Sequence, residues 1–298
     1  MHMSLIAAQI VCVALVAIDV LARTWRVQVL ARGLGSRAAF ARAFAFNVAS
    51  DASASLTPLR AGGEPVRFAG ILYCGLTVPD ALALMAVEGA MEYLMVLAIA
   101  GYVGSAYAVR WWVGTRARLV PAVHRALPWI VATALLCLLL WALLRRLNPR
   151  ASSQVRGTFL TSLRHASRIR LWAVALAVPL TFLHIAARLA VLPVLVLTLA
   201  APPELGPVVF GSFALLYGQM LLPTPAGAGA IDVSFLNGAA GYMGPDTTQL
   251  LIVWRFYTTV TGVILGVIFG VPYYGDAIRR WLLRRRVARN TLQHGPRA

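Results

Sequence analysis

The chain has 298 residues, 60% of them hydrophobic and only 12% charged, against roughly 25% charged residues in a soluble domain. That balance excludes a water-soluble globular fold. The net charge of +17 is carried by arginine alone, since no lysine occurs, and the arginines cluster between apolar stretches; they read as topology signals and contacts for anionic lipid headgroups, not as a nucleic-acid surface.

Residues 4–21 form a first apolar span, interrupted only by Gln9 and Asp19. No basic segment precedes it and no small-residue cleavage site follows it, so it is expected to be a retained helix and not a signal peptide. A basic stretch follows with Arg23, Arg26, Arg32, Arg37 and Arg42. Residues 43–78 are apolar but broken by Asn47, Asp51, Pro58, Gly62, Gly63 and Pro65, too many breakers for a plain spanning helix. A clean span is expected over 81–103, a basic interfacial piece with Trp111 and Trp112 over 110–125, and another span over 127–144. The most polar internal stretch, 145–170, carries seven arginines. A long span over 171–199 contains Pro179, His184, Arg188 and Pro193; 202–244 is again apolar but broken; 249–271 is the last span. Cys12, Cys74 and Cys137 lie in or beside apolar stretches without metal-ligand spacing and read as buried thiols. No cofactor or metal is expected.

The arginine clusters at 23–42, 145–170 and 279–297 belong on the cytoplasmic side by the positive-inside rule. That requires an external N-terminus, five full crossings and a cytoplasmic C-terminus. The two broken segments then return to the side they entered from, as re-entrant hairpins, the first from the cytoplasmic face and the second from the external face. The four arginines of 110–125 count against this arrangement. The expected fold is therefore an all-α integral membrane protein with about five full transmembrane helices and two Gly/Pro-broken hairpins. One membrane domain would cover 1–274, with halves 1–145 and 171–274 joined by the basic loop 146–170, and 275–298 would be a basic cytoplasmic tail.

The broken segments share a pattern. Residues 58–62 read Pro-Leu-Arg-Ala-Gly and residues 223–227 read Pro-Thr-Pro-Ala-Gly, with Glu64 and Asp232 as following carboxylates. Opposed hairpins of this kind, in an inverted repeat, mark a transport pathway, because unwound backbone is tolerated in hydrocarbon only where it lines a cavity or is buried in protein.

Glu64 and Arg67, three apart, either engage a headgroup or pair with each other. Glu88 and Glu92 share a helix face, so one is protonated or an arginine lies opposite; they either bind a cationic headgroup or serve a proton-coupled step, or pair structurally with Arg188 or Arg255. Asp232 either mirrors Glu64 or caps a helix. Arg255, about nine residues into the last span, contacts a lipid phosphate or pairs with an acid such as Asp232. Asn47 and Asp51 either line the cavity or bond backbone. His184 and Arg188 form an i, i+4 pair that reads chiefly as structure.

The run Thr57-Pro58-Leu59-Arg60-Ala61-Gly62-Gly63-Glu64-Pro65-Val66-Arg67 resembles the first signature, T-P-x-x-x-G-G-E-P-x-R, of the lysylphosphatidylglycerol synthase transmembrane family, also called the flippase-like domain family. Pro223-Thr224-Pro225-Ala226-Gly227-Ala228-Gly229-Ala230-Ile231-Asp232 resembles its P-T-P-G-G-x-G-x-x-E, with Ala226 for a Gly and Asp232 for a Glu. The family also tends to carry an arginine in the last span, where Arg255 sits. The resemblance implies translocation of a polar-headgroup lipid or lipid-linked molecule between the leaflets of a bacterial or archaeal cytoplasmic membrane; the family's best-known members also carry a soluble aminoacyl-transferase domain, for which the tail after the last span is too short, so no synthase activity is expected here. Expected substrates are a phospholipid, an aminoacylated lipid, a hopanoid or an isoprenoid-linked lipid. The expected translocation residues are Glu64, Arg67, Arg60, Asp232, Arg255, Glu88, Glu92 and Asn47. Pro58, Gly62, Gly63, Pro65, Pro223, Pro225, Gly227 and Gly229 would act through backbone shape. The alternatives are an intramembrane lipid-modifying enzyme and a non-transporting subunit of a lipid or glycan synthesis complex.

Overall fold

A computed structural model describes residues 3–102, 160–222, 224–243 and 246–275, with isolated positions at 105, 135, 139, 157 and 279. All regular structure among the described residues is helical. Four helices are long and apolar enough to cross a membrane: α1 (Leu5–Gly33), α4 (Val78–Tyr102), α5 (Leu171–Val196) and α8 (Thr247–Gly275). The expected segment 110–125, all but positions 135 and 139 of 127–144, Cys137, and all but position 279 of the tail beyond 275 lie outside the described residues. Between the long helices run two helical hairpins. The first joins α2 (Phe40–Leu56) to α3 (Gly63–Tyr73); the second joins α6 (Leu205–Gly218) to α7 (Ala230–Met243).

The first helix departs from expectation. It begins where Ser4 caps the Ala7 N–H, but it does not stop near Leu21. No Gly or Pro interrupts it before Gly33, and the chain turns only at Gly35, which has φ 82°. Its 29 residues extend about 43 Å at 1.5 Å per residue, well past a 30 Å hydrocarbon core. Arg23 and Arg26 are thus helical and buried, not loop charges. Of the 23–42 cluster, Arg32, Arg37 and Arg42 remain to signal topology.

Proline ends each hairpin arm by the same local route. Pro58 confines Thr57 to extended backbone (φ −110°, ψ 145°), and Pro225 does the same to Thr224 (φ −105°, ψ 149°). Each proline opens one turn of 3₁₀ helix whose next residue is left-handed: Leu59 at φ 53°, ψ 16° and Ala226 at φ 49°, ψ 23°. Arg60 (φ 57°) and Gly227 (φ 66°) follow in the same region. The backbones therefore align Thr57-Pro58-Leu59-Arg60-Ala61-Gly62 with Thr224-Pro225-Ala226-Gly227-Ala228-Gly229. Pro58 matches Pro225, not Pro223, which lies outside the described residues. With this register Asp232 falls opposite Pro65, one position past Glu64, whereas matching Pro58 to Pro223 would set it opposite Arg67. The two paths diverge at Ala61 (ψ −25°) and Ala228 (ψ 142°).

Hydroxyls satisfy the backbone that the first turn leaves free. Thr57 Oγ1 accepts from the Gly62 N–H at 2.8 Å, Ser53 Oγ donates to the Gly62 carbonyl at 3.0 Å, and Ser50 Oγ donates to the Gly63 carbonyl at 2.9 Å. Such internal satisfaction is what irregular backbone needs away from water. The two tips pack against one another. Ala226 is buried and left-handed, a conformation costing about 1–2 kcal/mol for a residue with a Cβ. Ala226→Gly is expected to be neutral or stabilising, and Ala226→Val to cost on the order of 2 kcal/mol because β-branching makes positive φ worse. Melting temperatures ordered Gly ≥ Ala > Val would bear this out; a valine variant as stable as the parent would refute the turn geometry.

α1 packs along the length of α5, α8 lies over α2, and α6 leans on α5. Two apolar clusters result. One gathers Cys12, Ile185, Leu192, Phe235 and Trp254, with Leu15, Val16, Met95 and Ile99 against it. The other gathers Val27, Leu30, Phe46, Ile71, Leu84, Ala173 and Ala177. Along α1 the gap between them holds Asp19, Arg23 and Arg26; along α5 it holds Thr181 and His184. Glu88 and Glu92 of α4 reach the same level, since both bond Arg26.

Candidate functional site

That gap is a buried ion layer. Positions 19, 23 and 26 lie on one face of α1, so Asp19 and Arg23 pair within the helix at 3.0 Å. Arg23 also reaches Asp51 of α2 at 2.5 Å. Arg26, fully buried, donates from Nε to Glu88 Oε1 at 2.9 Å and from Nη2 to Glu92 Oε2 at 3.3 Å. Its Nη1 faces Thr181 Oγ1 at 3.3 Å and His184 Nε2 at 3.1 Å. Arginine only donates, so Nε2 accepts and the ring proton sits on Nδ1, which faces Asp19 Oδ1 at 3.5 Å. Arg188 approaches the other Asp19 oxygen at 3.7 Å. Arg67 of α3 closes the set on Glu88 Oε2 at 2.5 Å.

Four arginines (23, 26, 67 and 188) thus face four carboxylates (Asp19, Asp51, Glu88 and Glu92). Charges this deep persist only when mutually compensated and hydrogen-bonded, and the layer neutralises itself. On one side it opens. Arg26, Glu64, Arg67, Glu88, Glu92 and Tyr93 line a cavity of about 370 Å³, together with Met85, Ala86, Gly89 and Ala90. Side-chain exposure rises along the wall from 0% at Arg26 through 3% at Glu88 and 13% at Arg67 to 33% at Glu92.

Glu64, Arg67, Glu88 and Glu92 therefore meet at one cavity. Arg67 pairs with Glu88 and not with Glu64, which makes no ion pair among the described residues. The arginines opposite Glu88 and Glu92 are Arg26 and Arg67, not Arg188 or Arg255. Arg60 sits at the hairpin tip, within electrostatic reach of Asp51, Arg23, Arg188 and Glu92. Asn47 is buried on α2 and does not line the cavity. Asp51, by contrast, is an ion-layer member.

Asp232 and Arg255 form a separate cluster. Arg255 Nε donates to Asp232 Oδ1 at 2.8 Å, and its Nη1 donates to the Ala226 carbonyl at 2.8 Å. Asp232 Oδ2 accepts from the Gly229 N–H at 2.9 Å. This staple fastens the second tip to α8. Pro225, Gly227 and Gly229 shape that tip, and Pro58, Gly62, Gly63 and Pro65 shape the first and the start of α3.

Sequence reading missed Asp19, Arg23, Arg26 and Thr181 as site residues. The available signal was the 19, 23, 26 spacing, a polar stripe continuing the helical period of the first span without a breaker.

These features define a multi-pass, all-helical membrane protein with a self-neutralising ion layer and two hairpins that meet at their tips. Residues 2–266 match the family described as the lysylphosphatidylglycerol synthase TM region, and the chain belongs to that family. No curated protein and no solved structure gives a significant match.

Proposed function

We propose that the protein translocates a polar-headgroup lipid, or a lipid-linked molecule, between membrane leaflets. The observation carrying this reading is the charged cavity beside the ion layer. Its volume of about 370 Å³ lies at the small end of ligand sites: room for a headgroup, with acyl or isoprenoid chains left in lipid. The compensated charges let a polar group pass at a depth where an unpaired ion would be prohibitive. The paired tips extend the same logic. Helical arms joined by hydroxyl-satisfied turns, packed end to end, suit two re-entrant hairpins approaching from opposite faces. The hydrogen bond from the Arg170 N–H to the Gly33 carbonyl sets the end of α1 beside the start of α5. That groups Arg32 and Arg170 on one side, where anionic headgroups of the cytoplasmic leaflet would hold them. On this reading the protein is a transporter and not an enzyme.

The test is leaflet exposure in proteoliposomes carrying, in separate samples, labelled phosphatidylglycerol, phosphatidylethanolamine, an aminoacylated phosphatidylglycerol and an isoprenoid-linked phosphate. At least one label is expected to equilibrate faster than in protein-free vesicles; background rates for all four would overturn the reading.

A further inference from the structure

The first tip carries an arginine that the fold does not use. Arg60 stands where the second tip has Gly227, and both are left-handed, at φ 57° and 66°. Glycine takes that conformation freely, whereas a residue with a Cβ is penalised there. The guanidinium returns nothing to the fold. Half-buried, it makes no hydrogen bond and closes no ion pair among the described residues. Asp51 and Glu92 lie within its electrostatic reach, but Arg23 holds the first at 2.5 Å and Arg26 the second at 3.3 Å.

The charged group that acts on Arg60 most strongly is a like charge, Arg188 of α5. Arg188 is itself loosely held. Its Nε lies 3.7 Å from Asp19 Oδ2, too far for a hydrogen bond, and Arg23 already grips Asp19 at 3.0 Å. Tyr217 of α6 is within electrostatic reach of Arg188, and its hydroxyl makes no hydrogen bond among the described residues. With Arg60 and Glu64 counted, the layer and cavity hold five arginines and five carboxylates, so no net negative charge repels an anion. Two neighbouring guanidiniums, one unpaired and one loosely paired, present planar forks that match phosphate oxygens.

The surroundings say which phosphate. Leu56 and Leu59 are exposed beside Arg60, as is Met220 on the turn of the second hairpin that packs against this tip. In a membrane such side chains face hydrocarbon, so an anion that reaches Arg60 arrives attached to acyl or isoprenoid chains.

We propose that Arg60 and Arg188, with Tyr217 as a third donor, bind the phosphate of the translocated lipid. This rests on the translocation reading above. Glu92 both lines the cavity and acts on Arg60, so the phosphate site adjoins the cavity that takes the rest of the headgroup.

The test titrates the delipidated full chain in detergent with short-chain phosphatidylglycerol and follows bound lipid by native mass spectrometry. The matched diacylglycerol, which lacks the phosphate, and inorganic phosphate are run alongside. Phosphatidylglycerol is expected to bind at least about tenfold more tightly than diacylglycerol, and equimolar inorganic phosphate to leave it bound. Arg60→Gly and Arg188→Gln each weaken phosphatidylglycerol about tenfold and leave diacylglycerol unchanged. Arg60→Lys, which keeps the charge without the fork, loses less. Arg164→Gln, at an exposed position before α5, changes binding less than about twofold. Because Arg60 strains its turn and pairs with nothing, Arg60→Gly melts no lower than the parent, which separates lost binding from lost fold.

An Arg60→Gly protein that binds phosphatidylglycerol as the parent does, or that melts well below it, would overturn the site. Displacement of the lipid by inorganic phosphate would assign the pair to a soluble anion and overturn the lipid source. A parent that moves labelled lipid between leaflets but binds phosphatidylglycerol no better than diacylglycerol keeps translocation and loses the site. One that binds as expected but moves no label keeps the site and loses translocation.

Discussion

Arg26→Met is expected to destabilise the protein by about 3–5 kcal/mol, the usual cost of breaking a buried ion pair from one side. In thermal melts of detergent-solubilised protein this is a drop on the order of 10 °C. The guanidinium is fully buried and touches four groups: Glu88, Glu92, Thr181 and His184. Methionine fills much of its volume, so the loss is electrostatic and not a cavity. Glu88 keeps Arg67, whereas Glu92 loses its only bridge among the described residues. The double variant Arg26→Met, Glu92→Gln removes that stranded charge and is expected to recover about half of the loss. Arg26→Lys should fall between, because an ammonium cannot present the planar fork that serves two carboxylates at once. If Arg26→Met melts within 1–2 °C of the parent, or the double variant is no better than the single, the ion layer does not hold α1, α4 and α5 together.

What was legible in the sequence follows from the range of each signal. The spans at α4, α5 and α8 could be read because twenty apolar residues in a row have one explanation. The breaks near Pro58 and Pro225 could be read because proline acts on its neighbours through the chain itself. The end of α1 was misplaced because arginine carries two meanings. Arg23 and Arg26 look like interfacial charges until their partners are known; Asp19, four residues before Arg23, is the one local partner, and the others, Asp51, Glu88 and Glu92, are far away in the chain. Nothing local distinguishes a charge meant for phosphate from one meant for a carboxylate on another helix. The same holds for Arg255, whose partners are Asp232 and the Ala226 carbonyl. The repeat is legible in the sequence, but its backbone register lies two residues from the sequence match. Matching Pro-x-x-Ala-Gly chose the first of two prolines, whereas the backbone follows the Thr-Pro pair, because the residue before proline sets the turn.

Gly266→Leu is expected to cost about 3 kcal/mol, the upper range for overpacking, and to remove transport with it. Gly266 and Gly270 lie four apart on α8 and face α2. A methyl at Gly266 would collide with Ala52 and the Val48 carbonyl; one at Gly270 would stand 2.5 Å from Ala49 Cβ. This is the small-residue contact through which membrane helices approach closely. Backbone atoms form part of the wall, so no rotamer change relieves the clash and the helices must part. The consequence reaches further than α2. The same helix grips α3 through Tyr273 and Tyr274, which donate to the Gly70 and Val66 carbonyls, and it grips the second tip through Arg255. Displacing α8 thus shifts both hairpins relative to the ion layer and draws Arg67 and Glu64 away from Glu88. Gly262→Ala, one turn earlier, is the control: its added methyl meets only Asp51 Cβ, at an ordinary 3.9 Å, and should leave the melting temperature within about 2 °C. If Gly266→Leu keeps both stability and lipid movement, α8 is not the element that registers the hairpins against the cavity. If it keeps stability and loses movement alone, the contact sets the geometry of transport without holding up the fold.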